Sequence, residues 1–510
     1  MLKRATFHRS FYLLCTMALA AMLPLSHFGM GLCSFLLMLN WVAEWNWKEK
    51  LQLLKQQRQG LVFSALYMVC CIGLIKTDNW QQAGQYLLNS LPVLLAPLII
   101  ITTPSFNASD MNRVFKAVIG GTLFAVVCSL VFWLTRPVQD IRQISIFIDH
   151  IRFSLCVVFA IVLSIRFTIQ YVRNKDRRFW LYMFVSLLLI FYLFISQTLT
   201  GLVLAFALCI VGFFYQMRAK MNAQVKKGVL WSMLVLFLVA GGYAVYITLD
   251  YCCDRDKQIT ATVTEMGNPY QFDATSILEN GHRVGYYVCP SELQSAWKQR
   301  SDSAYNDLLE QTLVRYLNSM GQHKDYQAVM SLSDDDIRRV EQQVANVAYF
   351  KELGLRKSLY QTFYSISVYQ KSGKVDGSSL LQRFELWGAS SRILSSYWLL
   401  GVGMGDVKDA LSLQLEKQQS SIVHRHIQGC HNQYITFMML GGVFVAAYFV
   451  FLMIYPIAAM RERLSFLYIV LSIIIFLSCL VEDTIDSQTG RMLYSVFLPL
   501  LLFGGKEDAD

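Results

Sequence analysis

Charge is scarce in this chain of 510 residues: Asp, Glu, Lys and Arg together make up 16% of it, against roughly 25% in an average soluble protein. That scarcity, combined with long apolar runs, excludes a disordered, collagen-like, coiled-coil or small disulfide-scaffold protein. Nucleotide and hydrolase signatures are missing too. There is no G-x-S-x-G elbow and no Walker A loop, so a serine hydrolase or a P-loop pump has no support. The sequence also lacks an internal repeat and any low-complexity tract.

Hydrophobic residues are what the chain has, at 55%. A membrane-crossing helix needs about 20 mostly apolar residues, and about twelve segments qualify as candidates. They fall near 10–25, 27–45, 60–76, 87–103, 114–134, 151–171, 179–195, 200–215, 229–248, 433–457, 464–481 and 491–504. The expected fold class is therefore an all-α polytopic membrane protein. The net charge of +10 would suggest nucleic acid in a soluble chain. Here the basic residues cluster in short loops between apolar runs, which fits membrane orientation and no nucleic-acid partner.

Those clusters set the topology, because cytoplasmic loops keep Lys and Arg. Lys48, Lys50, Lys55 and Arg58 form one; Arg173, Lys175, Arg177 and Arg178 the next; then Arg218, Lys220, Lys226 and Lys227; and finally Arg461 with Arg463. All fall on one side, with Lys3 and Arg4. The first thirty or so residues imitate a secretory signal, but further spans follow at once, and an uncleaved first helix is the expectation. The opposite side carries one large loop, near residues 249–430, long enough for a small folded domain. The expected division is 1–248 for an N-terminal transmembrane bundle, 249–432 for a periplasmic loop domain and 433–510 for C-terminal spans.

The loop reads as mainly helical. Ser333 with Asp336 resembles a capping box, and Ile337, Val340, Val344 and Val347 continue with helical spacing. Ser379 and Gln382 mark a second start ahead of Phe384 and Trp387. Of twelve cysteines, Cys252, Cys253, Cys289 and Cys430 lie in or beside the loop, where an oxidising compartment permits a disulfide from Cys289 to Cys252 or Cys253.

Two motifs lack the context their chemistry requires. His424, His426 and His431 lack the partners and spacing of a zinc site, so no metal is expected. Gly401, Gly403 and Gly405 spell G-x-G-x-G without a preceding strand, which removes the dinucleotide-binding reading and leaves a tight turn.

A further pattern runs in order from "LQRFELWGASSRIL" (Arg383, Glu385, Trp387) through Trp398 and "LLGVGMGDV" to "HNQYITFMMLGGVFVAAYF" (His431, Asn432, Gly441, Gly442). It resembles the C-terminal signature of the O-antigen ligase and polymerase superfamily, over about residues 380–451. The stretch "IDHIRFSL" is similar to the start of the middle span of related bacterial ligases and adds His150 and Arg152. One departure stands out: Leu199 in "SQTLTGLVLA" occupies the place of an expected arginine, leaving Arg152 or Arg142 to supply that charge.

The resemblance implies a bacterial inner-membrane glycosyltransferase of lipopolysaccharide biosynthesis, working on the periplasmic face. Its donor would be a glycan on undecaprenyl diphosphate and its acceptor a lipid A-core hydroxyl, with no cofactor. A polymerase or a protein O-oligosaccharyltransferase of the same superfamily would share the signature; a non-catalytic lipid-glycan transporter is the rival from another class. The residue types suit the chemistry. A departing diphosphate needs fixed positive charge, which guanidinium supplies through a planar fork, and a sugar hydroxyl needs a base with a pKa near neutrality. His431 and Arg383 are the expected catalytic pair, with Arg152, Arg383 and His150 on the diphosphate. Asn432, Trp387, Gly401, Gly403, Gly405 and Glu385 would support them. For Glu385 and Asp406 the surface-pair reading outweighs a role in orienting a base, and Trp387 and Trp398 fit packing or the membrane interface better than a sugar platform.

Overall fold

The computed structural model describes residues 2–136, 141–218, 223–256, 261–351, 355–373, 375, 378–423 and 429–505. The protein is nearly all helical and divides into two compact units. One comprises Met1–Arg218, Arg383–Gln419 and Val423–Asp510; the other comprises Ala219–Gln382 with Ser420–Ile422.

The first unit opens with α1 (Leu2–Met22), α2 (His27–Ala43), α3 (Trp47–Gln56), α4 (Leu61–Cys70), α5 (Trp80–Ile101), α6 (Ala108–Thr135), α7 (His150–Arg173), α8 (Phe179–Ile195) and α9 (Leu199–Arg218). The second holds α10 (Ala223–Cys252), strands β1 (Gln271–Phe272), β2 (Leu278–Glu279), β3 (His282–Arg283) and β4 (Tyr286–Val288), then α11 (Pro290–Arg300), α12 (Asp307–Ser319), α13 (Tyr326–Met330), α14 (Asp334–Glu341), α15 (Ala348–Lys351) and α16 (Leu355–Ser372). The chain returns through α17 (Ser379–Tyr397) to α18 (Val407–Lys417), α19 (Gln433–Ala459), α20 (Phe466–Ser478) and α21 (Gln488–Met492), which continues in wide π turns to Gly504.

A helix underlies every segment expected to cross a membrane, but among the described residues five stretches are both long and apolar enough: Arg58–Lys76, Trp80–Ile101, Ala108–Thr135, His150–Arg173 and Gln433–Ala459. The pair α2 and α3, bent by 112°, makes a sixth if counted as one span. The larger count of about twelve is not reached on these grounds, because α8 and α20 are short and α1 opens on Lys3, Arg4, His8 and Arg9. At the bend, Lys50 folds back to Glu44, 3.2 Å away, and over the rings of Trp41 and Trp47. Its ammonium group is thereby paired with a carboxylate and faced by two aromatic rings.

The glycine run and the double glycine of α19 form one structural device. In a regular helix the Val443 N–H would bond to the Met439 carbonyl, four residues back. Here Val443 donates to the Trp398 carbonyl (3.0 Å), and the Met439 carbonyl accepts from Val402 (2.8 Å). Residues 398–402 are wedged into the opened ladder, and the turn beyond them packs on the chain near residues 73–83, with the Met404 N–H bonded to the Gly73 carbonyl (2.9 Å). Gly441 and Gly442 are non-helical, and Gly442 has φ +71 and ψ −161, a region that only glycine occupies at low cost. A Cβ on Gly442 would stand 2.0 Å from the Leu399 carbonyl oxygen, and one on Gly405 would stand 2.0 Å from that of Asn79.

The second unit has its own core of Leu293, Trp297, Leu313, Tyr316, Val329 and Val340, all fully buried. Ser333 and Asp336 form the expected capping box. The helix that follows stops at Glu341 rather than running on to Val347, with Gln343 in the left-handed region at φ +63. Ser378, not Ser379, caps α17 through a bond from the Leu381 N–H. The unit is not wholly helical: β1 pairs with β4 and β2 with β3, both antiparallel. The β2–β3 turn is Asn280–Gly281 with φ of +56 and +80, the type I′ geometry that Asn-Gly favours. Glu279, fully buried, accepts two 2.9 Å bonds from Arg315 and one of 2.8 Å from Asn346, tying the hairpin down.

All twelve cysteines are free thiols, which corrects the disulfide expected for Cys289. Cys289 is buried among Tyr270 and Tyr287, whereas Cys252 and Cys253 are exposed at the end of α10.

Candidate functional site

Sequence-marked residues meet at the ends of several helices in the first unit, around a residue that the motifs do not include. Glu482 follows α20 and is buried. Its Oε1 accepts from Arg383 Nη2 at 2.6 Å and its Oε2 from His431 Nδ1 at 3.3 Å, while Arg152 Nη2 stands 4.0 Å from Oε2. Arg383, Arg152 and His431 thus share one carboxylate.

Local structure explains each placement. Asn432 caps α19, its Oδ1 accepting from the Tyr434 and Ile435 N–H groups. Before it, His431 takes φ +50, an uncommon conformation for a residue with a Cβ. Asp483 holds it there, because its carboxylate accepts from the His431 N–H (2.9 Å), the Asn432 N–H (3.2 Å) and the Thr436 hydroxyl (2.6 Å). A carboxylate at a helix N-terminus is favoured by the unpaired N–H groups there. Gly429 is part of the same wrap, since a Cβ on it would stand 2.4 Å from Asp483 Oδ2. Next along, the Gln433 side chain accepts from the Ile485 and Asp486 N–H groups, locking the acidic loop to α19.

On α17, Arg383 and Trp387 are one turn apart. The Trp387 indole donates to the Cys430 carbonyl at 3.0 Å, beside the histidine. The Arg383 Nε–H is buried without a partner among the described residues. Asp149 caps α7, accepting from the Ile151 N–H and lying 3.2 Å from Arg152 and 3.5 Å from His150. Two basic side chains in the first turn of a helix oppose its dipole, a cost that the carboxylates of Asp149 and Glu482 offset.

The electrostatics follow the contacts. The bond to Glu482 raises the pKa of His431 above the usual histidine value, against an opposing pull from burial. Burial works to raise Glu482, but the bond from His431 and the charges of His431 and Arg383 outweigh it and leave its pKa below the usual range. Asp149 is likewise lowered: burial opposes ionisation, and the hydrogen bond from His150 and the Arg152 charge prevail. His431 remains 43% exposed, so the ring is accessible while its Nδ1–H is oriented. That leaves Nε2 to take a proton, the geometry of an oriented general base.

The supporting residues divide. Asn432 and Trp387 join the site. Glu385 makes no hydrogen bond or ion pair among the described residues and lies two positions from Arg383, toward a different face of α17. Gly401 belongs to the wedge, its N–H bonded to the Tyr397 carbonyl, while Gly403 and Gly405 pack against Lys76 and Asn79 and the Gly405 N–H bonds to the Thr77 hydroxyl. Asp406 accepts from the N–H groups of Asp78 and Asn79, beside the start of α5. Among the described residues no cluster of metal-ligating side chains occurs, and His424 and His426 lie outside them. The signal for the missed Glu482 was present: "VEDTID" sets three acids directly after an apolar run in a chain short of charge.

A cavity of about 350 Å³ adjoins this region, its lining including the apolar Leu37, Leu91, Leu95 and Val496 and the polar Gln488 and Arg491. Arg491 donates to the Asp486 carbonyl at 2.8 Å, which connects the cavity to the acidic loop.

Fold and site together define a helical protein with apolar, membrane-length helices and a cluster of paired charges at their ends. No family model and no curated protein matches the sequence.

Proposed function

We propose that the protein is an O-antigen ligase-like glycosyltransferase of the bacterial inner membrane, moving a glycan from undecaprenyl diphosphate to a lipid A-core hydroxyl on the periplasmic face. The observation that supports this reading is Glu482, which brings Arg383, Arg152 and His431 within 4.0 Å of a single carboxylate. The sequence pattern from Arg383 to Gly442 supports it independently.

In the reaction, His431 Nε2 takes the proton of the acceptor hydroxyl as its oxygen bonds to the anomeric carbon. The bond from that carbon to the diphosphate oxygen breaks, and the electron pair leaves with the diphosphate. Arg383, whose Nε–H has no partner among the described residues, and Arg152 meet the charge that develops. Glu482 fixes both His431 and Arg383 and holds them in place before the donor arrives. The isoprenoid tail stays in apolar surroundings, since extracting it costs about 0.8 kcal/mol per methylene; the cavity beside Arg491 offers such surroundings.

The test is transfer of a lipid-linked glycan by the purified chain, with a chelator present. His431→Ala and Arg383→Ala abolish transfer while accumulating normally in the membrane; full activity in either removes that residue from the site, and chelator-sensitive transfer overturns the metal-free mechanism. A deletion strain separates related activities: unmodified core with accumulated lipid-linked polymer marks a ligase, core bearing one repeat a polymerase, and lost protein glycans an oligosaccharyltransferase. A transporter instead moves the lipid-linked glycan without joining it to any acceptor.

A further inference from the structure

The second unit contains a cavity of about 290 Å³ that the transfer reading does not use. It is lined by Asp250, Arg255, Asn280, His282, Arg356 and Tyr360, with Met320, Val347 and Ala348 on the apolar part of its wall. Its construction is specific. The hairpin turn docks on the last turn of α10, with the Arg255 N–H bonded to the Gly281 carbonyl (2.8 Å) and the Gly281 N–H to that of Tyr251 (3.0 Å). Asp250 is gripped from two sides, by Arg255 and by Arg356 with the Tyr360 hydroxyl, each of the latter at 2.7 Å.

Several polar atoms keep bonding capacity toward this space. His282 Nδ1 is held by Asp256 at 2.8 Å, which leaves Nε2 as its second site. Gly321, at φ +69, lies beside that nitrogen: a Cβ there would stand 3.4 Å from it and begin to cover it. Arg255 is 47% exposed and spends one Nη on Asp250, leaving further N–H donors. Asn280 adds an amide in the turn. The lining therefore mixes acceptors, donors and one ambivalent imidazole beside an apolar wall. That is what a sugar ring requires, because each hydroxyl both donates and accepts while the C–H face is apolar. Charge narrows the choice. The spare donors are those of the Arg255 guanidinium, since Asp250, the lining carboxylate, is taken up by Arg255, Arg356 and Tyr360, and Asp256 by His282 and by the Arg283 N–H at 2.6 Å. An acidic substituent is favoured over a neutral ring. At about 290 Å³ the cavity lies at the small end of ligand sites, roughly 300–1,000 Å³, which suits one ring rather than a chain.

We infer that this cavity is a saccharide-binding site that takes a single pyranose ring bearing a carboxylate. The preference for a sugar over other polar ligands rests in part on the transfer reading, and the experiment separates the two. Glucuronate, glucose and inorganic phosphate are titrated against the purified full chain in detergent, with binding read by saturation-transfer NMR. Glucuronate binds saturably and more tightly than glucose. Arg255→Ala, which leaves Asp250 held by Arg356 and Tyr360, weakens glucuronate by about tenfold or more, a loss of roughly 1.4 kcal/mol. Met320→Trp, at an exposed position on the cavity wall, weakens both sugars without touching a charge. Arg383→Ala leaves binding intact even where it abolishes transfer. Absence of saturable sugar binding overturns the inference, as does binding unchanged in both cavity variants. Phosphate displacing glucuronate with no response to glucose would show a plain anion site and overturn it as well.

Discussion

Replacing Glu482 by glutamine preserves volume and removes one charge from a site where that charge has three partners. Oε1 lies 2.6 Å from Arg383, and Oε2 lies 3.3 Å from His431 and 4.0 Å from Arg152. Hydrogen bonds to charged groups contribute roughly 1.5–3 kcal/mol. Glutamine still offers Arg383 a neutral oxygen, so stability falls near the low end, about 1.5 kcal/mol. Transfer suffers more. The amide can present either its oxygen or its NH₂ to His431, and the tautomer that leaves Nε2 free is no longer enforced. Loss of an oriented general base lowers the rate by about 10²–10⁴-fold, or roughly 3–5 kcal/mol of barrier.

The pH dependence carries a second signature. Neutral imidazole is the active form, and Glu482 raises the His431 pKa, so the native rate climbs with pH only above the ordinary histidine value. In Glu482→Gln that acid limb moves to lower pH while the plateau drops. Stability follows the same pair. The His431 contribution is complete below its unfolded pKa, about 6.5, and is lost as pH rises through its raised folded value. The Glu482 contribution is present above about pH 4.3 and is lost as pH falls through its lowered folded value. Rates of glycan transfer and melting temperatures between pH 4 and 9, native against variant, provide the assay. An unshifted limb with a native plateau would refute the dyad.

Other consequences are independent of that site. Gly442→Ala must combine a backbone cost of about 1–3 kcal/mol with displacement of the Leu399 carbonyl, so the variant melts several degrees lower; an unchanged melting temperature contradicts the wedge. Ser333→Ala removes the capping box of α14 and costs about 0.5–2 kcal/mol, visible as faster amide exchange in the first turn of that helix and nowhere in the first unit. Alkylation under non-reducing, denaturing conditions labels all twelve cysteines, and a mass two labels short would reveal a disulfide.

Legibility from sequence followed the range of the interactions. Hydrophobic runs and local caps depend on residues close in the chain, so the helical class and the Ser333 box could be read directly. His431, Asn432 and Arg383 were marked by their pattern. Glu482 was not, because its importance comes from partners 99 and 51 residues away and its own neighbourhood reads as the end of an apolar run. The glycine triplet was readable as a turn, but the fit of Gly401 into α19 depends on a contact across about forty residues with no local trace. The Asn280–Gly281 hairpin is a different kind of miss: its turn signal was present and was lost among the helical cues around it.

The wedge in α19 also determines what the histidine is attached to. With the Met439-to-Val443 rung replaced by two bonds to another segment, the eight residues from Gln433 to Leu440 form a short stub rather than the tip of one continuous rod. Its bearing is set by residues 398–402 on one flank and by the acidic loop on the other. The imidazole is therefore aimed by those two neighbours rather than by the direction of the long apolar shaft behind it.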